Sequence, residues 1–229
     1  MWAAPSILTL DAAAAASCGT GTHTMAWSQK ADNSGPGVFT STGGTGSPNV
    51  TVGTNNSGTN PANSGGGGSL GNNWTVVNNG TQVGNQTAAF WYMQMKATAG
   101  GSAQWLETTF TFAKSVVGLS FTVFDVDIGN AGNTWTDIVS VTGKNAANVQ
   151  QNVTVTKAGG TGSPTLAGSG TTTASATGTG NVGTNSTVGN VTFTIPTAVN
   201  SVTVRFAAGV VTNPIQYVGI GNLTWTSCV

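Results

Sequence analysis

Three of the six acidic residues in this 229-residue chain fall close together, as Asp125, Asp127 and Asp137. Alternate residues of an extended strand share a face, so Asp125 and Asp127 point to the same side. A turn rich in Gly and Asn follows, and Asn130 and Asn133 can add amide or backbone oxygens. Such a set suits a hard cation: Ca²⁺ takes about 6–8 oxygen ligands at about 2.3–2.6 Å, which adjacent loops can provide. The pattern is not an EF-hand, because the glycine is misplaced and no Glu closes the loop. The alternative is structural: the three acids cap turn amides and the Trp135 indole at the strand end. Catalytic groups are scarce. His23 is the single histidine, and a triad needs it beside a Ser and an Asp. Gly67-Gly68-Ser69-Leu70-Gly71 matches G-x-S-x-G in letters but has no apolar strand before it, so the context of a nucleophile elbow is missing. Glu107 is the sole Glu, which leaves no obvious carboxylate pair for glycoside hydrolysis. The expectation is a protein that is not an enzyme.

The acids are carried by residues 105–143, which read as three consecutive strands. Leu106, Phe110 and Phe112 alternate with Thr109 and Thr111, and Leu119, Phe121 and Val123 alternate with Ser120 and Thr122. The third strand runs from Ile138 to Val141. A period of two buries one face and wets the other. Further strands are predicted at 22–29, 74–77, 88–96, 152–156, 171–176, 190–195, 201–207 and 216–227. Two short β pieces, 38–40 and 49–52, interrupt an otherwise weakly patterned stretch over 30–73. Residues 88–96 are apolar on both faces and belong in the centre of a sheet. Pro196 ends one strand before its hairpin partner begins. In the last strand the apolar phase changes after Ile220, which predicts a bulge at Gly221–Asn222. Trp91 and Trp225 lie in apolar strands and read as core, whereas Trp2, Trp74, Trp105 and Trp135 lie near strand ends and are candidates for sugar stacking. No stretch shows helical periodicity. The fold class expected is all-β, a two-sheet antiparallel β-sandwich, jelly-roll-like, with long Gly/Asn/Thr-rich loops.

Charged residues make up 5% of the chain, six basic against six acidic, while 38% of residues are hydrophobic. An ordinary soluble domain carries roughly 25% charged residues. A nucleic-acid partner needs a basic stripe that this chain lacks. No apolar run is long enough to span a membrane as a helix. Thr, Ser, Asn and Gly supply the polarity instead, which suits extracellular modules and surfaces that pack against copies of themselves. Cys18 and Cys228 sit near opposite ends, and a disulfide tying the first strand to the last is the economical reading. In the chain-entropy model so long a loop contributes on the order of 5 kcal/mol at most. An oxidising compartment follows from the bond. Residues 1–17 read as an N-terminal arm and 18–229 as a single β-sandwich domain. The Ala-rich run of the arm looks like the end of a secretory signal, without a basic start. The arm also holds a strand, Ser6, Ile7, Leu8, Thr9 and Leu10. It either pairs at the edge of its own domain or completes the sheet of a neighbouring copy.

The C-terminal half resembles the non-repeat β-sandwich modules of bacterial surface adhesins and fibril proteins of the CshA type. The resemblance rests on LSFTVFDVDIG at 119–129 and WTDIVSVTG at 135–143. It continues through ATGTGN at 176–181, GNVTFTIP at 189–196, VNSVTVRF at 199–206 and VGIGNLTWT at 218–226. It implies a secreted bacterial surface or matrix module without catalysis. Two functions follow as expectations. The first is a structural subunit that polymerises into a cell-surface or biofilm-matrix filament, with residues 6–10 exchanged into a groove on the next copy. Val116, Leu119 and Phe121 are candidates for that groove. The second is a monomeric adhesin or carbohydrate-binding module that uses Ca²⁺ or its polar loops to hold a glycan or a host or environmental surface.

Overall fold

A computed structural model of the chain describes residues 18–31, 34–57, 74–78, 83–97, 101–129, 135–159, 163–211 and 215–229. The expected assembly strand, Ser6 to Leu10, lies outside the described residues, as do Trp2, Ser69, Asn130 and Asn133. The strands are β1 (His23–Met25), β2 (Gly37–Phe39), β3 (Ser41–Thr42), β4 (Val50–Asn56), β5 (Trp74–Val77) and β6 (Phe90–Lys96). Next come β7 (Trp105–Val117), β8 (Leu119–Phe124), β9 (Trp135–Lys144), β10 (Gln150–Gln151), β11 (Thr154–Lys157) and β12 (Thr165–Ala167). The chain closes with β13 (Ala174–Thr177), β14 (Val191–Ile195), β15 (Val199–Val211), β16 (Ile215–Ile220), β17 (Leu223–Trp225) and β18 (Ser227–Cys228).

They form two antiparallel sheets packed face to face, the sandwich that the alternation predicts. In one sheet β11 pairs with β14 and β14 with one edge of β8. The other edge of β8 meets β16 and β17, which pass on to β6–β5 and to β1–β3 respectively. The second sheet runs β12-β13-β9-β15-β7-β4-β2, with β10 paired to β9 and β18 to β7. Between them lies one apolar cluster to which nearly every strand contributes. Leu106, Phe110 and Phe112 of β7 are buried there while Thr109 and Thr111 face outward. Burying such a side chain stabilises the fold by about 1.5–3 kcal/mol. β6 is buried along almost its whole length, as its two apolar faces predict. Trp91 and Trp225 are core residues, and so is Trp27, which stacks on Trp91 at 5.2 Å between ring centroids.

Four expectations are corrected. Pro196 does end β14, but the next strand crosses to the other sheet; β14 pairs with β8 and β15 with β7 and β9. The expected bulge at Gly221–Asn222 is a break. β16 stops at Ile220 and β17 starts at Leu223, because Trp27 inserts there: its indole N–H donates to the Gly221 carbonyl at 2.8 Å and its backbone N–H to Asn222 Oδ1 at 3.0 Å. For the same reason the strand predicted over 22–29 shortens to β1 and ends in a 3₁₀ turn at Trp27–Gln29. Val116, Leu119 and Phe121 are not an open groove; all three are buried, and Phe121 stacks on Phe193 at 5.9 Å.

Cys18 and Cys228 are joined as a disulfide with Cα atoms 5.1 Å apart. No helix among the described residues is long and apolar enough to cross a membrane.

Candidate functional site

The three acids meet at one end of the sandwich, where the chain leaves β8 in one sheet and enters β9 in the other. Asp125 follows the last residue of β8 and Asp137 lies inside β9. The crossing closes on itself: the Asp137 N–H donates to the Asp127 carbonyl at 2.9 Å, and the Gly129 N–H to the Trp135 carbonyl at 3.1 Å. Asp125 adopts the left-handed backbone region, φ 66°, which Asp tolerates better than most residues. Asn190 holds it there. Its Oδ1 accepts from the Asp125 N–H at 3.2 Å while its Nδ2 donates to the Gly84 carbonyl at 2.8 Å.

The three carboxylates differ in how far their oxygens are paired. Asp127 Oδ1 accepts from the Trp135 indole at 3.3 Å, and Asp127 Oδ2 from the Val182 N–H at 3.0 Å. Asp137 Oδ2 accepts from the Asp127 N–H at 3.3 Å, and the two carboxyl groups lie close enough to shift each other's protonation. These contacts are the capping that the sequence offered as the alternative to metal. Asp125 and Asp137 each keep one buried oxygen, Oδ1, without a hydrogen-bond partner within the protein.

Burial raises all three acids, because the charged form loses hydration. Asp125 is pushed up to about 7, first by burial and then by the charge of Asp127. Asp127 rises to about 6 through burial, against the pull of its hydrogen bonds from Val182, Trp135 and Asp137. Asp137, fully buried, lies well above the usual carboxylate range through burial and the charge of Asp127. A shared proton between Asp127 and Asp137 is the arrangement such neighbouring carboxylates favour.

A cavity of about 240 Å³ opens against this end, lined by Asp125, Asp127, Trp135, Gln216, Tyr217 and the 181–184 segment. Gln216 is 1% exposed, and neither its amide nitrogen nor its amide oxygen has a partner within the protein. Tyr217 is half-buried and stacks on Tyr92 at 5.4 Å. Burial, followed by the charges of Asp125, Asp127 and Asp137, pushes the Tyr217 hydroxyl up to about 12, so it keeps its proton. Of the residues named from the spacing, Asp125, Asp127, Asp137 and Trp135 are brought together. Gln216, Tyr217, Asn190 and Val182 are neighbours of the cluster that the spacing did not reveal. Gln216 carried one signal, an amide set between the apolar residues Ile215 and Val218. Among the described residues no group of three or more His, Cys, Asp or Glu is arranged to hold a metal ion.

The remaining candidates are structural. His23 is buried, with Nε2 donating to the Gly19 carbonyl at 2.7 Å and Nδ1 paired with the Ser47 hydroxyl. Its ring stacks on Trp225 at 6.0 Å. A serine is thus beside it, but a backbone carbonyl stands where a triad needs an acid. Glu107 lies on the outer face, 3.8 Å from Arg205, whose guanidinium covers the Trp105 ring at 4.2 Å. A shallower hollow of about 350 Å³ lies on the outer face of the second sheet, between Thr109, Thr111, Asn145, Asn148 and Asn200. Asn145 and Asn200 already bond the backbone there.

No protein-family model matches this chain, and neither a curated protein nor a solved structure matches it.

Proposed function

We propose that the chain is a secreted, non-catalytic β-sandwich module that works by binding, in the manner of an adhesin or carbohydrate-binding domain, and that its ligand site is the cavity at the β8–β9 end. One observation carries this: a cavity of about 240 Å³ at that end brings the acids Asp125 and Asp127 together with the aromatic residues Trp135 and Tyr217 in its lining. Pockets of this kind, apolar walls with a few convergent polar groups, are the usual form of a small-ligand site. Secretion is supported by the disulfide between Cys18 and Cys228. A glycan array and a thermal-shift screen with and without Ca²⁺ test the proposal. The expected result is a ligand whose binding quenches or shifts Trp135 fluorescence. Absence of any ligand on both screens overturns it.

A second reading is favoured by the outer faces. Thr154, Thr194, Ser120, Thr224, Thr24 and Thr42 stand opposite one another in a single row across six neighbouring strands. Thr156, Thr192 and Thr122 form a shorter row beside it. Such neutral hydroxyl faces offer no repulsion between copies, as a self-assembling cell-surface or matrix filament subunit requires. Electron microscopy of the purified protein decides this reading. Uniform filaments that disappear when residues 1–16 are deleted support strand exchange between copies, and filaments that persist after the deletion refute it.

A further inference from the structure

We infer a second binding site, on the outer face of the second sheet, that takes an anionic saccharide: a hydroxyl-rich sugar chain carrying carboxylate or sulfate. It shares no lining residue with the β8–β9 cavity and stands independently of it. Gly53 lies in the middle of β4 and faces outward. A glycine inside a strand weakens it, and its usual reasons are a bulge, a tight bend, or close approach of a ligand or another backbone. β4 keeps an unbroken register with β7 from Val50 to Asn56, which removes the bulge and the bend. The φ of Gly53 is outside the left-handed region, and a Cβ there would meet nothing within 4 Å. Neither the backbone conformation nor a neighbouring segment therefore asks for glycine. A ligand lying on the strand is the reason that remains. Gly53 is paired with Thr109, and Thr109 lines the hollow of about 350 Å³ on this face.

The walls of the hollow are polar, uncharged and fixed. The Thr109 hydroxyl bonds that of Thr203 at 2.9 Å. Asn145 Oδ1 accepts from the Ala147 and Val149 N–H groups, each at 3.0 Å, and so shapes the turn that also carries the exposed Asn148, at φ 61°. Asn200 donates to the Phe112 carbonyl at 3.0 Å and accepts from the Ser115 hydroxyl at 2.7 Å. These bonds hold the side chains in place without filling the hollow. Hydroxyl and amide groups both donate and accept, as the hydroxyls of a sugar require. Groups already fixed lose little freedom when a ligand arrives. The charge beside them selects among sugars. Lys144 precedes Asn145 and stands opposite Ser201, and both of those residues line the hollow. Lys144 is exposed and makes no ion pair among the described residues, whereas Glu107 on the same face is taken by Arg205. An unmatched cation at the rim of an uncharged, hydroxyl-binding hollow complements a sugar that carries a negative charge.

Calorimetry and two-dimensional NMR on the full chain test the inference. The probes are tetragalacturonic acid, its neutral methyl ester, a tetrasaccharide of sulfated galactose, its desulfated form, and sodium sulfate alone. The expected result is binding of at least one acidic tetrasaccharide, with shifts in the backbone signals of Gly53 and Asn148 and none in the Trp135 indole. Its neutral counterpart binds about tenfold more weakly, the loss of one charge-assisted hydrogen bond. Whichever acid binds identifies carboxylate or sulfate as the charged group. Lys144→Gln removes the preference for the acidic form. Asn148→Gly keeps the left-handed backbone and weakens both forms. Gly53→Ile places a strand-favouring side chain in open space; it leaves the Tm no lower and weakens the acidic form about tenfold, because its side chain occupies the ligand's place. Absence of binding by either acidic tetrasaccharide overturns the site. So do equal binding of the neutral forms, shifts confined to Trp135, and unchanged affinity in Gly53→Ile. Sodium sulfate binding as tightly as the sugars would show an adventitious ion only, and overturns it too. None of these outcomes touches the cavity at the β8–β9 end, which its own screens decide.

Discussion

Asp125, Asp127 and Asp137 give the chain an unusual dependence on pH. In an unfolded chain an aspartic acid loses its proton near pH 4 (about 3.9), whereas in the fold Asp125 keeps its proton up to about 7 and Asp127 up to about 6. Between those values the native state binds more protons than the unfolded one. Stability is therefore greatest below about pH 4 and falls as pH rises to about 7. That is the reverse of ordinary acid denaturation, where salt-bridged carboxylates lose their charge. Calorimetric melts at pH 4.5 and pH 8 are expected to show the higher Tm at the lower pH. Asp125→Asn is expected to raise the Tm at pH 8 and to flatten part of the slope. The spacing of the three acids announced this cluster in the sequence, because period-two geometry and a turn are local. Gln216 and Tyr217 were not legible as its neighbours. They arrive from β16, whose pairing with β8 at Gly219↔Phe124 and Ile220↔Val123 spans most of a hundred residues.

The strands that hold the cluster depend on close backbone approaches that can be tested. A Cβ on Gly178 would lie 2.0 Å from the Asp127 carbonyl oxygen and 2.7 Å from its Cα, both backbone atoms that cannot step aside. Gly178→Ala is expected to cost about 1–3 kcal/mol by overpacking and to disturb the NMR signals of Asp127 and Trp135. Gly53 in β4 has nothing within 4 Å of such a Cβ. Gly53→Ala is expected to be neutral or slightly stabilising, because Ala restricts the unfolded chain. Trp27 is the core tie at the break between β16 and β17. Trp27→Leu loses the stack on Trp91 and leaves the Gly221 carbonyl without its donor. The expected loss is about 3 kcal/mol in denaturant titrations. Alternation named β7, β8 and β9 correctly, since it reports which face of each strand is buried. It says nothing of which sheet a strand joins. Gly118, at φ 69°, and Pro196 look like the turns of hairpins, yet each marks a crossing between sheets. Side-chain periodicity is the same on both sides of such a crossing. Only the long-range pairing distinguishes a hairpin from an arch, and that pairing is absent from any short window.

Across the whole molecule charged residues are scarce, at 5% of the chain. Among the described residues, the Arg205–Glu107 pair on the outer face is partly exposed, and such pairs contribute about 0–1 kcal/mol. Stability is therefore expected to change little between low and high salt at fixed pH, in contrast to its response to pH. The disulfide is the larger global term. Replacing both Cys18 and Cys228 by Ala opens a loop whose ends are separated by 210 positions. The chain-entropy model sets the loss at up to roughly 5 kcal/mol, to be read from the shift of the denaturant midpoint. The same bond has a mechanical meaning. Its two Cα atoms lie 5.1 Å apart, and everything folded between them is a closed ring. Tension entering before Cys18 and leaving after Cys228 runs through two sulfur atoms and bypasses the sheets altogether. A tether built this way transmits load without lengthening. In a single-molecule pulling experiment it is expected to stretch like a short linker until a reductant is added. Only then are the 210 positions between the cysteines released, about 3.3–3.6 Å at a time.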